Sequence, residues 1–227
     1  MSGRLVTLEG LDGSGKTTQM ELLKADLRAR GAAFRSVKFP SYGQPFAAPA
    51  LMYLSGGFGD RPDDVNAYAA SAFFAVDRCA SYLKLWRKDY ERGALILADR
   101  YTTSNMIYQL PKLPRGEWEG CLSWLQDFEY AKLGLPRPAL TVFLDMPPEM
   151  SQRLLDVRYR RDGGGRDIHE RDREYLRLCR ESALFAAERL GWRVIPCAAG
   201  GELRGEEQIH AEVMKSLLAA SDGGGRP

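Results

Sequence analysis

The chain has 227 residues, more than a minimal domain needs and an ordinary size for one α/β unit with a large core. Lys and Arg number 32 against 30 Asp and Glu, a net charge of +2, which supplies no field for holding a nucleic-acid duplex, so no nucleic-acid partner is expected. Cys79, Cys121, Cys179 and Cys197 lie far apart with no C-x-x-C pair, which argues against a zinc site or a disulfide framework. No apolar run of 18 residues appears, so the reading is a soluble, cytoplasmic protein without a membrane partner.

In chain order, the apolar run Leu5–Leu8 reads as a buried strand and is followed by Gly10-Leu11-Asp12-Gly13-Ser14-Gly15-Lys16-Thr17, a complete G-x-x-x-x-G-K-[ST] phosphate loop. Each residue type has a reason. Gly10, Gly13 and Gly15 let the backbone fold into a nest of N–H groups, Lys16 brings a point charge to the outer phosphates, and Thr17 can reach Mg2+. The helix that follows begins at Thr17-Thr18, carries Met20, Leu23 and Leu27 on one face, and stops at Gly31, so its positive end points at the phosphates of a nucleoside triphosphate. Further strands are expected at 34–39, 95–98, 140–144 and 193–195, with helices between them, the order of a parallel α/β sheet. Ser41 to Pro45 reads as a loop before a short helix ending near Gly56-Gly57. Asp63 or Asp64 is placed to cap a long helix reaching about Glu91, with Gly93 beyond its end and Phe74 and Arg78 on one face. Asp99-Arg100 follows the third strand, where α/β sheets bind ligands. An Arg there can grip a phosphate, and the carboxylate can orient that Arg or a Mg2+-bound water, while an ordinary strand-end ion pair is the plainer reading.

The stretch from Arg158 to Arg166 holds Arg158, Arg160, Arg161 and Arg166 beside a triple glycine. It joins a helix from about Pro148 to another from about Glu170 and reads as a mobile cationic lid at about 158–169, with a plain charge-rich linker as the alternative. Residues 221–227 are expected to fray. The expected architecture is one domain over 1–220, an α/β fold with a five-stranded parallel sheet flanked by helices and a lid. A phosphate loop alone is common to ATPases, GTPases and small-molecule kinases, and the guanine signal Asn-Lys-x-Asp is absent from the sequence.

Beyond the loop, the sequence resembles the thymidylate kinase family over nearly its whole length. The resemblance is carried by Glu9 to Gln19, by Phe39-Pro40-Ser41-Tyr42-Gly43, by Phe73-Phe74-Ala75-Val76-Asp77-Arg78, by Asp99-Arg100-Tyr101-Thr102-Thr103-Ser104 with Asn105 and Tyr108 following, and by Phe143 to Glu149. It implies a P-loop kinase fold and transfer of a phosphoryl group from ATP to dTMP with Mg2+, by a homodimer whose interface includes the helix bearing Phe74. It also implies roles for residues. Phe74 stacks on thymine, Arg78 and Asn105 read its edge, and Arg100 holds the acceptor phosphate. Asp12 accepts from the 3′-hydroxyl, Tyr108 excludes a 2′-hydroxyl, and Phe39, Tyr42 and Ser104 complete the dTMP site. Lys16, Asp99, Arg100, Arg158 and Arg161 form the catalytic set. The variable loop positions Leu11-Asp12-Gly13-Ser14 contain no Arg, so the missing cation is assigned to the lid, as in bacterial-type members. The Arg that members often carry just after Phe-Pro is replaced here by Ser41 and Tyr42. A kinase for another pyrimidine nucleotide such as dUMP, or a catalytically silent nucleotide-binding module, is the alternative.

Overall fold

The computed structural model describes residues 3–162, 167–169 and 172–222, with side chains omitted for 157–162, 221 and 222. Five parallel strands, β1 (Arg4–Gly10), β2 (Phe34–Lys38), β3 (Leu95–Asp99), β4 (Leu140–Asp145) and β5 (Arg193–Pro196), lie in the order β2-β3-β1-β4-β5. The sheet class and strand number are those expected from the sequence, and each strand is found within two residues of its expected bounds. Strand β1 is central, with β3 on one side and β4 on the other. Leu8 stands opposite Asp99 and Gly10 opposite Leu144, which aligns the carboxyl ends of the three strands at the point where the strand order diverges.

Alternation along the strands sorts the core. Val6, Leu8, Leu97, Val142 and Leu144 pack against Met20, Leu23 and Leu27 of α1 (Lys16–Ala29). Ile209, Val213 and Leu217 of α9 (Glu206–Asp222) complete the same layer. The other face receives α2 (Ala48–Leu54), α3 (Ala67–Ser81), α4 (Arg87–Glu91), α5 (Thr102–Tyr108), α6 (Trp118–Gln126) and α8 (Arg173–Leu190), with Phe143 against Tyr175 and Cys179 of α8. Helix α7 (Pro148–Asp162) leaves β4 and runs toward the expected lid. The short hairpin of β6 (Ala198–Ala199) and β7 (Glu202–Leu203) leads into α9, which extends to Asp222, two residues into the segment expected to fray.

The expected long helix 63–91 differs in two ways. It starts at Ala67, because Asn66, not Asp63 or Asp64, caps it: Asn66 Oδ1 accepts from the N–H of Ala69 at 2.8 Å. Asp64 is engaged one turn earlier, accepting from the N–H of Arg61 at 2.9 Å. The helical path then widens into a π-turn at Tyr82–Trp86 before α4, turning the fully buried Trp86 toward Leu5, Ile96 and Tyr101. The helix expected from about Glu170 begins at Arg173, where Asp172 caps it by accepting from the N–H of Tyr175. Of the expected lid arginines, the side chains of Arg158, Arg160 and Arg161 and the whole of Arg166 lie outside the described residues. Asn66→Ala is expected to lower stability by about 1 kcal/mol in a urea titration, with an unchanged slope because the core is untouched.

Candidate active site

The phosphate loop closes as its residue types require. Gly13 and Gly15 occupy the left-handed region at φ 79° and 81°, and a side chain at Gly10 would meet Ser14 Oγ at 2.4 Å, so the loop has no room for a larger residue there. Leu11, assigned to ATP binding with its neighbours, is 1 % exposed and packs against Ile107 and Phe143. Only its backbone can face a phosphate. Thr17 stands exposed at the start of α1.

Beside the loop a cavity of about 300 Å3 opens at the carboxyl end of the sheet. It brings together Asp12, Lys16, Thr17, Phe39, Tyr42, Phe74, Arg78, Arg100, Ser104, Asn105 and Tyr108, all expected from the sequence. Asp99 lies just beneath it, while Gly10, Gly13, Ser14, Gly15 and Thr18 shape the loop without lining the cavity. Lys38, Leu54, Gln109, Asp167 and His169 also line it and were missed by the sequence reading. Gln109 follows Tyr108 directly, yet nothing in the sequence marks it as buried. His169 is a lone histidine at the end of a charged segment.

Arg100 organises the mouth of the cavity. It has φ 66°, the one non-glycine residue with positive φ among the described residues, a conformation that costs of order 1–3 kcal/mol and marks a constrained position. Its guanidinium donates to Asp12 Oδ1 and, at 3.1 Å, to Tyr108 Oη, and it lies 4.0 Å from Glu9. Tyr108 Oη donates in turn to Asp12 Oδ2 at 3.1 Å. Glu9, fully buried, accepts from the N–H of Tyr101, from Thr103 Oγ1 at 2.6 Å and from Ser104 Oγ. The hydroxyl proton of Ser104, expected to meet substrate, is therefore committed to Glu9.

Asp99 does not orient Arg100. Its carboxylate lies 3.2 Å from Lys16 Nζ and 3.6 Å from Lys38 Nζ, because β3 ends directly beside the phosphate loop and β2. Burial pushes the Asp99 carboxyl up, but Lys16, Arg100 and Lys38 outweigh it and hold it below the usual range. Asp12 is likewise held low, burial being outweighed by Arg100 and Lys16, whereas burial wins at Glu9 and raises it. Burial and Arg100 lower Lys16.

At the far end of the cavity Phe74 forms a wall, edge-on to Tyr53 at 5.9 Å between centroids. Arg78, 1 % exposed, donates from Nε and Nη2 to the two oxygens of Glu129, each at 2.7 Å, and from Nη1 to the Tyr101 carbonyl. Asn105 Nδ2 donates to the same Glu129 at 2.8 Å and to the Ser71 carbonyl, which leaves its Oδ1 as an acceptor. Glu129 was missed. Its signal is an acidic residue on the buried ladder Leu122, Leu125, Glu129. Ser41, in the place where family members often have Arg, is held by its backbone N–H to Asp77 Oδ2 at 2.8 Å.

Comparison with known proteins points to one family. The family model for thymidylate kinase matches residues 8–209. A thymidylate kinase of Mycobacterium tuberculosis is 36 % identical over 185 residues, 80 % of this chain and 84 % of the relative. One from Bifidobacterium longum is 32 % identical over 198 residues, 86 % and 90 %. The solved structure of a thymidylate kinase from Candida albicans superposes with a TM-score of 0.72 at 21 % identity, covering 97 % of this chain and 93 % of that one, a likeness of fold.

Removing Glu129 strands a buried guanidinium. Glu129→Ala is expected to cost about 3–5 kcal/mol in chemical denaturation, and Glu129→Gln less, since the amide still accepts one of the two bonds. Matching two features of the sequence, the phosphate loop and the Asp-Arg-Tyr turn, to one cavity and to relatives matched over most of their length leads to a single assignment: the chain belongs to the thymidylate kinase family.

Proposed function

We propose that the chain transfers the γ-phosphoryl group of ATP to dTMP, giving ADP and dTDP, with the acceptor in the cavity beside the phosphate loop. One observation carries the reading. A single cavity has phosphate-binding cations, Lys16 and Arg100, at its mouth, and at its far end an aromatic wall, Phe74, flanked by a fixed donor, Arg78, and a fixed acceptor, Asn105 Oδ1. That pairing fits the carbonyl and N3–H edge of thymine, and stacking on an aromatic ring is worth about 1–3 kcal/mol per base. Asp12 keeps lone pairs for the 3′-hydroxyl beyond those given to Arg100 and Tyr108. Tyr108, 5 % exposed and tied at its hydroxyl, is rigid enough to fill the volume of a 2′-hydroxyl. Phe39 and Tyr42 also line the cavity.

The acceptor is an already ionised phosphate, so no strong general base is called for. Catalysis is positioning and charge neutralisation. Lys16, paired with Asp99, has a countercharge to exchange for phosphate oxygens. Arg100, tied to Asp12, is aimed across the mouth. Arg158 and Arg161 of the lid are proposed to bring the remaining positive charge. The residues also fit Mg2+: Thr17 offers a hydroxyl at the helix start. Among the described residues no group of three or more His, Cys, Asp or Glu is placed to hold a metal ion by protein ligands alone. Bound there, Mg2+ would neutralise and orient the phosphates. No helix among the described residues is long and apolar enough to cross a membrane, and we infer action in the cytoplasm by one functional unit over 1–220.

We further propose a homodimer through α3 and the π-turn that follows it, where Val76 of α3 and Leu83 of the turn are apolar side chains 52 % and 58 % exposed. Introducing Val76→Asp and Leu83→Asp together is expected to convert the dimer to monomer in sedimentation velocity, and a monomeric parent protein would end this proposal.

A coupled ADP-release assay across nucleoside monophosphates tests the activity. The expected result is the highest kcat/KM with dTMP, loss of at least about a hundredfold in Lys16→Ala with an unchanged far-ultraviolet circular dichroism spectrum, and a higher KM for dTMP but not for ATP in Phe74→Ala. Equal turnover of dUMP and dTMP, or Lys16→Ala within tenfold of the parent, would overturn it.

A further inference from the structure

Behind the cavity runs a chain of polar groups that the chemistry above does not use. Lys112, half-buried in the turn after α5, donates from Nζ to Tyr53 Oη at 2.8 Å and to the Val65 carbonyl at 2.9 Å. Tyr53 Oη, on α2 and 1 % exposed, stands 3.0 Å from His169 Nε2. His169 is 4 % exposed and lies nearly parallel to Tyr108, with ring centroids 5.0 Å and planes 14° apart. Tyr108 in turn touches Asp12 and Arg100. Three separate parts of the chain, the α5–α6 connection, α2 and the residues before α8, are thereby joined to the wall of the acceptor cavity.

We propose that Lys112 is a positioning residue for the acceptor site, which sets the direction of the hydrogen bonds along Lys112–Tyr53–His169 and so fixes the imidazole against Tyr108. The proposal rests on reading the cavity as the dTMP site.

The argument is one of counting donors. An ammonium has three donors and no lone pair, so charged Lys112 can only donate and Tyr53 Oη must accept from it. The single proton of Tyr53 then goes to His169 Nε2 at 3.0 Å or to the Pro62 carbonyl at 3.3 Å, and the shorter contact is to His169. Nε2 accepting leaves the ring proton on Nδ1. When Lys112 loses its proton, its amine gains a lone pair and can accept from Tyr53. Tyr53 is then free to accept from a protonated Nε2, and the chain can reverse. The charge on Lys112 therefore selects the tautomer of His169.

That charge changes in the working range. Burial draws Lys112 down to about 7 against the opposing pull of Asp63 and Cys179. Burial and then Lys112 hold His169 down at about 3, with Asp12 pulling the other way and Arg100 adding to the depression. Burial keeps Tyr53 and Cys179 well above their ordinary values, and Tyr175, packed against His169, is raised by burial too. Asp167 also faces Tyr53. Of Lys112, Tyr53, His169, Tyr175 and Cys179, only Lys112 changes charge near neutrality. Its folded value is depressed, so the ordered chain belongs to the low-pH side and loosens as pH rises through about 7.

The full chain contains two histidines, so protein labelled with 13C,15N-histidine gives two imidazole signals, with His169 identified by its loss in His169→Phe. Without nucleotide, His169 is expected as the Nδ1–H tautomer at pH 6 and to gain the Nε2–H form above about pH 8. Lys112→Met should remove that step, and Lys112→Arg, charged throughout, should hold the low-pH tautomer at pH 9. In kinetics, the ratio of KM for dTMP in Lys112→Met to that of the parent should be about three- to tenfold at pH 6 and approach one at pH 9, with KM for ATP within twofold. Taking the ratio cancels the titration of the acceptor's own phosphate. A tautomer constant from pH 6 to 9 in the parent, or a KM ratio equal at both pH values, would overturn the proposal. A tautomer step that follows Lys112 in a protein that does not phosphorylate dTMP would leave the chain standing and overturn the reading of the cavity.

Discussion

The buried pairing of Arg100 with Asp12 and Glu9 is the constraint on which the site depends. Arg100 leaves the end of β3 in a left-handed conformation, and that turn sends its side chain back over β1 to the phosphate loop. One cation meets two carboxylates with opposite results. Asp12, in direct contact and also near Lys16, is held ionised despite its burial, while at Glu9, 4.0 Å away, burial wins. Coulomb attraction at 4 Å amounts to about 4 kcal/mol at an effective dielectric constant of 20, comparable with the penalty of withdrawing a carboxylate from water, so small differences in distance decide the sign. Glu9 answers by gathering three protein donors, Tyr101, Thr103 and Ser104, and in doing so locks the first turn of α5 against β1.

The base end of the cavity is built on the same logic with less charge to spare. An unpaired guanidinium in a site this dry could not persist, and Glu129 meets it bidentately while also taking Asn105 Nδ2. Specificity then lies in the atoms left over. Asn105 has no N–H to spare after Glu129 and Ser71, so it presents a carbonyl, which in the proposed reading of the cavity would favour a pyrimidine that offers an N–H at that edge over one that offers a lone pair. The price of a rigid reader is a buried ion pair that adds little to stability compared with apolar packing.

Much of this was legible in the sequence, and the reason is local. The phosphate loop, the strand alternation and the Asp-Arg-Tyr turn each declare themselves within about ten residues, because nest-forming glycines and period-two apolar runs are local requirements. From those segments Asp12, Lys16, Thr17, Arg100, Ser104, Asn105 and Tyr108 line one cavity. What escaped is whatever depends on contact across the fold. Glu129 sits 51 residues from Arg78, and His169 is 116 from Tyr53. The cations beside Asp99 escaped for the same reason: its sequence neighbour is Arg100, but parallel register sets Lys38 of β2 beside it and the start of α1 brings Lys16 within 3.2 Å. The cap of α3 moved to Asn66 because Asp64 was already engaged by its own turn, a competition between neighbouring signals that residue type alone does not resolve.

The arrangement of charges at the mouth also bears on how binding proceeds. Lys16, Lys38 and Arg100 stand against Asp99, Asp12 and Glu9, so the cations are neutralised by protein carboxylates before any phosphate arrives. Binding a phosphate there is an exchange of partners. The incoming oxygens gain Lys16 only to the extent that they outcompete Asp99, and the released carboxylate is left beside Lys38, which is 58 % exposed and free to follow it. Such an exchange weakens ground-state binding of any one phosphate but leaves the positive charges oriented, because their positions are fixed by carboxylates and not by the ligand. In the phosphoryl transfer proposed above, charge that grows on the transferred group in the transition state would meet cations already in place, and the gain would fall on the step and not on the bound substrate.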